Sequence, residues 1–196
     1  MSIQLQYLFF VVLSYFLGGL PSGKWIADLE GVNILEVGSK NIGAANINRA
    51  LGPRFAAIVL ALDAAKGFFP TLVAKDVFQM EWMVCGVALA ACLGNIFSPF
   101  LRFRGGKGAS TYLGVLLAIA PLPTIVAFLI GLMAVRVVRI TSVVNLVIFL
   151  FFVPILYYFV NPSYALFGFI IWILLIYTHR DNIKRLIKGN ELRIGG

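Results

Sequence analysis

The stretch Ala109-Ser110-Thr111-Tyr112-Leu113-Gly114-Val115-Leu116-Leu117-Ala118-Ile119-Ala120-Pro121-Leu122-Pro123-Thr124-Ile125-Val126 decides how this chain is threaded. Proline lacks an N–H and clashes with the carbonyl four residues back, so Pro121-Leu122-Pro123 marks either a tight turn between two short helices or a kink in one long one. Reading it as a turn adds a crossing, and that crossing fixes the side on which every later segment emerges.

Outward from the turn, apolar runs recur at about 3–20, 53–74, 82–100, 109–120, 123–138, 142–160 and 163–178. The chain of 196 residues is 61% hydrophobic and only 12% charged, with a mean hydropathy of +0.96, whereas soluble domains are about a quarter charged. Backbone amides in hydrocarbon have to pair within their own segment, and runs that are continuous rather than alternating argue against a membrane barrel. The expected fold is an all-α integral membrane protein of seven transmembrane helices, a single membrane-embedded domain over 1–196. The run from Ile3 to Leu20 has no basic stretch before it and runs into Gly18, Gly19 and Pro21 without a small-residue cleavage pattern, so it reads as a first membrane helix.

With the turn in place, alternate connections differ in charge. One set holds Lys24, Lys40, Arg49 and Arg54, then Arg102, Arg104 and Lys107, then Arg136 and Arg139, and finally a tail with Arg180, Lys184, Arg185, Lys188 and Arg193. The other set is a chain start without Lys or Arg, the stretch around Lys75 with Asp76 and Glu81, the proline turn, and Asn161-Pro162-Ser163. By the positive-inside rule the basic set is cytoplasmic, with the N-terminus outside and the C-terminus inside. The net charge of +8 is then explained by topology and anionic headgroups, and no nucleic acid partner is expected.

Three basic segments meet on the inner face. The first, Gly38-Ser39-Lys40-Asn41-Ile42-Gly43-Ala44-Ala45-Asn46-Ile47-Asn48-Arg49, offers small residues that can expose backbone N–H groups to an anion, and Arg49 adds a planar fork for phosphate. Taken alone it is more simply an interfacial loop with a capping Ser or Asn. The second includes Arg102-Phe103-Arg104-Gly105-Gly106-Lys107-Gly108-Ala109-Ser110-Thr111, in which Gly105, Gly106 and Gly108 allow close backbone approach and Lys107 places a charge at a helix start. Its spacing is not that of a nucleotide-binding P-loop, since Leu101 stands where a Gly is needed and Gly108 where a Ser or Thr is needed; on its own it is a glycine hinge with topology anchors. The third, Thr178-His179-Arg180-Asp181-Asn182-Ile183-Lys184-Arg185-Leu186-Ile187-Lys188-Gly189-Asn190-Glu191, reads mainly as a short basic amphipathic helix on the membrane surface, with His179 the sole histidine.

Two further features lie within the apolar runs. Asp63 and Lys66 share a helical face and either neutralise each other or serve the substrate. Cys85 and Cys92 have no metal-ligand or redox neighbour and read as small core residues, so neither a metal nor a cofactor is expected.

Together, in order, these segments resemble the acyl-phosphate:glycerol-3-phosphate acyltransferase family of bacterial membranes known as PlsY. The resemblance runs over essentially the whole chain: Gly38 to Arg49 looks like its first motif, Gly105 to Thr111 its second, His179 to Glu191 its third, and Asp63-Ala64-Ala65-Lys66-Gly67 a further pattern. Three departures are Lys40 where Gly is usual, Ala45 where Thr is common, and Asn95, after Gly94, where the family often has His. The resemblance implies an inner-membrane enzyme that moves a fatty acyl group from acyl phosphate to the 1-hydroxyl of glycerol 3-phosphate, giving lysophosphatidate and inorganic phosphate.

On that reading Ser39, Arg49, Lys107, His179 and Asn182 carry catalysis, with backbone N–H groups of Gly105 and Gly106 helping to bind phosphate. Asn41, Gly43, Asn46, Gly108, Thr111, Asp63, Lys66 and Glu191 complete the substrate site. Membrane lipid surrounds the protein and no obligate protein partner is expected. The rival reading is a transporter or flippase for an organic phosphate, whose mark is paired repeats with polar groups at the bilayer midplane; the sequence has no internal repeat and its cationic motifs lie at one face.

Overall fold

The computed structural model describes residues 2–194, so the expected 1–196 domain extends beyond it at both ends. Each apolar run closes into a helix. In chain order the helices are α1 (Ile3–Gly19), α2 (Ser22–Leu29), α3 (Ala44–Leu51), α4 (Pro53–Val77), α5 (Glu81–Ile96), a single 3-10 turn at Pro99–Leu101, α6 (Ala109–Ile119), α7 (Pro121–Val138), α8 (Thr141–Phe159), α9 (Pro162–Thr178) and α10 (Arg180–Ile187). No strand occurs among the described residues.

The proline stretch separates two helices. Ala120 ends α6 and precedes α7 with φ −138° and ψ 72°, the extended side of backbone space that a following proline enforces, and Pro121 takes the first helical position, where no N–H is required. Five helical stretches, including the α1–α2 pair taken together, are long and apolar enough to cross a membrane, and α9 joins α10 through a 59° bend. α6 is different. Its 11 residues rise about 16 Å, roughly half of a hydrocarbon core of about 30 Å. It is sheathed by protein, with Tyr112, Val115 and Leu116 fully buried.

Small residues set the tightest crossings. A Cβ on Gly67 of α4 would overlap the Thr111 carbonyl of α6, and one on Gly114 of α6 would overlap the Ala64 carbonyl; Gly18 of α1 meets Ala91 of α5 in the same way. Backbones this close are how helices associate where lipid removes the hydrophobic drive between them. The main apolar core joins α5, α6, α8 and α9.

Two ends of the bundle are defined by contacts between connections. At one end Lys75 donates to the Ala118 carbonyl at 2.7 Å and Asn161 to Glu81 at 3.3 Å, so the links α4–α5, α6–α7 and α8–α9 lie together. At the other, Ser98 donates to the Gly19 carbonyl at 2.6 Å, Thr178 to the Lys107 carbonyl at 3.0 Å, and the N–H of Ile194 to the Arg139 carbonyl at 2.9 Å. The segment expected as a polar connection between the first two membrane helices is partly helical: α2 and α3 form there because Ala27, Ile34, Ile42 and Ile47 pack with Val59 of α4 in a small second core.

Candidate functional site

At the second end a cavity of about 80 Å³ is lined by side chains from every basic segment. Ser39, Arg49, Lys107, His179 and Asn182 all face it, together with Asn41, Gly43, Asn46, Asp63, Gly106 and Gly108. Gly105, Thr111, Lys66 and Glu191 are not among its lining residues.

The first wall is folded by Asn46. Its buried amide oxygen accepts from the Ser39 N–H at 2.8 Å, and its Nδ2 donates to the carbonyls of Val37 and Asn41, each at 2.9 Å. Gly38 sits at φ +56° with Asn46 Oδ1 against the place of a Cβ, so only glycine fits that turn. The Asn46 amide thus holds the loop in shape from a residue that also lines the cavity. Asn41 caps the turn by accepting from the Gly43 N–H at 2.9 Å. Arg49 lies on α3 and uses one edge of its fork on the chain end: Nη2 donates to the Leu192 carbonyl at 3.1 Å and Nε to that of Arg193 at 3.5 Å. Nη1 makes no hydrogen bond among the described residues.

The second wall hangs from Asn95. The Gly106 N–H donates to the Asn95 carbonyl at 2.8 Å, the Gly105 N–H to the Ile96 carbonyl at 3.0 Å, and the Gly108 N–H to Asn95 Oδ1 at 3.1 Å. The Gly105 and Gly106 amides, expected to bind phosphate, are thus occupied in holding the loop to the end of α5. This also accounts for the departure at Asn95: the position supplies an acceptor to Gly108, a task an amide oxygen performs without any acid–base chemistry.

Lys107 Nζ donates to Asn182 Oδ1, and Asn182 Nδ2 in turn donates to Glu191 Oε1 at 2.5 Å. Glu191, itself held by Ser142 at 3.1 Å and by Arg185 at 2.8 Å, orients Asn182 from outside the cavity lining. Burial, and next the nearby Arg185, lower the Lys107 pKa to about 8, with Arg49 adding to the effect and Glu191 and Asp181 opposing it. His179, at the α9–α10 bend, donates from Nδ1 to the Leu175 carbonyl at 2.8 Å, which leaves Nε2 unprotonated in the neutral ring. Burial first, then the Lys107 charge, lower its pKa to about 4, so the imidazole is neutral near pH 7.

Two expected contacts lie elsewhere. Thr111 is fully buried at the α4–α6 crossing. Lys66 is bound by Asp63 at 2.5 Å, by the Leu20 carbonyl at 2.5 Å and by the Ser22 hydroxyl at 2.9 Å, so it ties the α1–α2 junction to α4. Its side chain is only 9% exposed, the opposite of a lysine reaching out to water.

Sequence reasoning missed the fourth wall. Thr141, Ser142 and Asn145 of α8, with Ser110 of α6, complete the lining. The signal is present as three polar residues at the start of an otherwise apolar run, beside Arg136 and Arg139, whose charge the positive-inside rule already explains. Against this wall lies an apolar groove of about 340 Å³ between α4, α6, α7 and α8, with Leu60, Leu113, Phe128 and Phe149 among its walls. Ala44, Ala45, Ala109, Ser110, Thr141 and Asn145 belong to both spaces.

Cations at the head of an apolar groove, on a bundle of apolar helices, define the class as an integral membrane protein with a charged site beside a lipid-like groove. Residues 8–189 match the family model described as glycerol-3-phosphate acyltransferase. The glycerol-3-phosphate acyltransferase of Aquifex aeolicus is 39% identical over 193 residues, covering 95% of this chain and 98% of that one. That of Thermus thermophilus is 39% identical over 186 residues, covering 94% of each. A crystal structure of PlsY, an integral membrane glycerol 3-phosphate acyltransferase, in its glycerol 3-phosphate form superposes with a TM-score of 0.92 at 36% identity, covering 97% of this chain and 96% of that one. The lysophosphatidic acid form gives 0.89 at the same identity and coverage. The chain belongs to the PlsY family of glycerol-3-phosphate acyltransferases and is an integral membrane acyltransferase.

Proposed function

We propose that the protein transfers a fatty acyl group from acyl phosphate to the 1-hydroxyl of glycerol 3-phosphate, releasing lysophosphatidate and inorganic phosphate. The observation that carries this reading is that the cationic cavity and the apolar groove lie side by side and share six lining residues. An acyl phosphate has a phosphate for the first and a hydrocarbon tail for the second, and glycerol 3-phosphate needs only the first.

In this reading Arg49 and Lys107 hold phosphate, Ser39 offers a hydroxyl to it, and Asn182 and His179 position the glycerol. The 1-hydroxyl oxygen attacks the acyl carbonyl, the new ester C–O bond forms, and the carbonyl carbon's bond to the phosphate oxygen breaks. Phosphate is a good leaving group, so positioning and charge stabilisation suffice without a covalent acyl-enzyme. The hydroxyl proton goes to the departing phosphate, which gains basicity as its bond breaks, in preference to an imidazole whose pKa is about 4.

The pairing of connections at the two bundle ends supports a chain that crosses seven times, α6 reaching only part of the way within the protein. The basic connections gather at the site's end, which supports an active site facing the cytoplasm of a bacterial inner membrane, N-terminus outside and C-terminus inside. The test is direct. Purified protein in detergent, given acyl phosphate and glycerol 3-phosphate, should release phosphate and lysophosphatidate in equal amounts; uptake into sealed vesicles without product would mean transport instead. His179→Ala should slow turnover without abolishing it, and loss of all turnover with glycerol phosphate binding intact would make the ring the base.

A further inference from the structure

The wall formed by Ser39, Asn41, Gly106, Lys107 and Asn182 has a second side. Behind it lies a wider cavity of about 1030 Å³, which these five residues share with the inner site. Its outer lining holds Lys40, Arg102, Arg104, Arg180 and Arg185, with Asp181 the one carboxylate.

Some of these charges are already engaged. Arg185 pairs with Glu191 at 2.8 Å, Arg180 lies 4.5 Å from the centroid of the Tyr177 ring and donates to the Tyr177 carbonyl, and Asp181 sits 4.0 Å from Lys184. Lys40, Arg102 and Arg104 make no ion pair among the described residues. Like charges gathered in one concavity repel each other and raise the local concentration of anions.

The backbone that carries them is unusual. Lys40 has φ 55°, Arg102 φ 50° and Phe103 φ 60°, three of the four non-glycine residues with positive φ among those described. Side chains disfavour that region, and it persists where the surroundings impose it. Here the Phe103 N–H donates to the Ser98 carbonyl at 2.8 Å, the Arg104 N–H to that of Leu101 at 3.0 Å, and Ser98 is itself tied to Gly19. The loop that bears Arg102 and Arg104 is therefore held in shape by its own backbone.

We propose that this basin is a docking site for a phosphate monoester dianion, filled by glycerol 3-phosphate from water before it passes the Lys107 wall into the inner site. The inference rests on the acyltransferase reading. The two substrates then enter by different doors, the acyl donor through the apolar groove and glycerol 3-phosphate through the cationic basin. The headgroup of an anionic lipid offers the same chemistry from the membrane.

The test is steady-state kinetics of the full-length protein carrying Arg102→Gln and Arg104→Gln together. At low ionic strength kcat/KM for glycerol 3-phosphate should fall about tenfold or more, with the KM for acyl phosphate unchanged. The difference from wild type should vanish near 1 M salt, where screening acts within about 3 Å. The Arg102→Lys, Arg104→Lys pair keeps the charge and should restore kcat/KM. An unchanged kcat/KM at low salt overturns the proposal, as does a loss that persists at high salt. Nanodiscs of phosphatidylcholine with and without phosphatidylglycerol separate the sources: if anionic lipid lowers wild-type kcat/KM and leaves the Gln pair unaffected, the basin belongs to headgroups and glycerol 3-phosphate docking is refuted. Absence of lysophosphatidate from wild type at saturating glycerol 3-phosphate would instead refute the acyltransferase reading.

Discussion

Lys66 and Lys107 are both withdrawn from water, but their surroundings differ. Lys66 has three oxygen partners, one of them the Asp63 carboxylate, so its charge is matched on the spot. Lys107 has one neutral partner, the Asn182 amide, and the largest cause of its lowered pKa after burial is another cation, Arg185. The first arrangement is complete without a ligand. The second is short of negative charge, which a phosphate supplies, and the contrast separates a structural cation from a binding one.

Replacing each lysine by methionine should break the comparison most sharply. Lys107→Met should cut kcat/KM by about 10²- to 10³-fold, the scale of losing one preorganised donor to developing charge, with little change in the thermal midpoint. Lys66→Met should do the reverse: a stability loss of about 3–5 kcal/mol from stranding Asp63, with the folded fraction still active. Exchanging both charges, Asp63→Asn with Lys66→Gln, should recover much of that stability and leave the KM for glycerol 3-phosphate unchanged. A KM raised by the double variant would place Asp63, which borders the cavity, in the substrate site after all.

Arg49 lies between the two cases, since one edge of its fork is already spent on the chain end. Arg49→Lys keeps the charge and loses the planar geometry, so about a 10- to 100-fold loss in kcat/KM for glycerol 3-phosphate is expected. Near-wild-type kinetics would remove Arg49 from the phosphate site.

A titration should sharpen the contrast further. Lys107 attracts phosphate only as the ammonium, and its pKa is about 8, below the ordinary 10.5. In the free enzyme kcat/KM should fall about tenfold per pH unit above about 8, and Lys107→Arg should shift that limb upward. Stability moves the other way. The unfolded chain holds the proton up to about 10.5, so folding gains stability as pH rises from about 8 toward that value. His179 gives the same sign at lower pH, with its stability contribution lost as pH falls from 6.5 to about 4.

What the sequence made legible follows from what local chemistry determines. Long apolar runs and Pro121 specify helices and a break wherever they occur, so the helical segments could be read directly. Charge parity between connections then brought Ser39, Arg49, Lys107, His179 and Asn182 to one end. Hydrogen-bond partners are a different kind of fact: whether Asn46, Gly106 or Lys66 faces a ligand or a carbonyl depends on residues 5 to 46 positions away. The loop-holding bonds of Asn46 and Gly106 are therefore visible only in the fold, as is the place of Thr141, Ser142 and Asn145 on the cavity wall. The short α6 was legible as an apolar segment, but its shelter inside α4, α5, α8 and α9 is a tertiary property.

The smallest effect concerns Ser22, the residue that completes the closed network. Its hydroxyl donates to Asp63 at 2.5 Å and accepts from Lys66 at 2.9 Å, linking both charges to the start of α2. Ser22→Ala removes one hydrogen bond to each ion but leaves the ion pair itself, so the expected cost is about 1.5–3 kcal/mol of stability, the range for hydrogen bonds to charged groups. Thermal unfolding in detergent reads that cost, and turnover per folded molecule should match wild type because none of the three groups needs to move for substrate to bind. A fall in kcat with unchanged stability would mean that the α1–α2 junction is coupled to the cavity through Asp63, and the division between the closed and open lysines would then no longer hold.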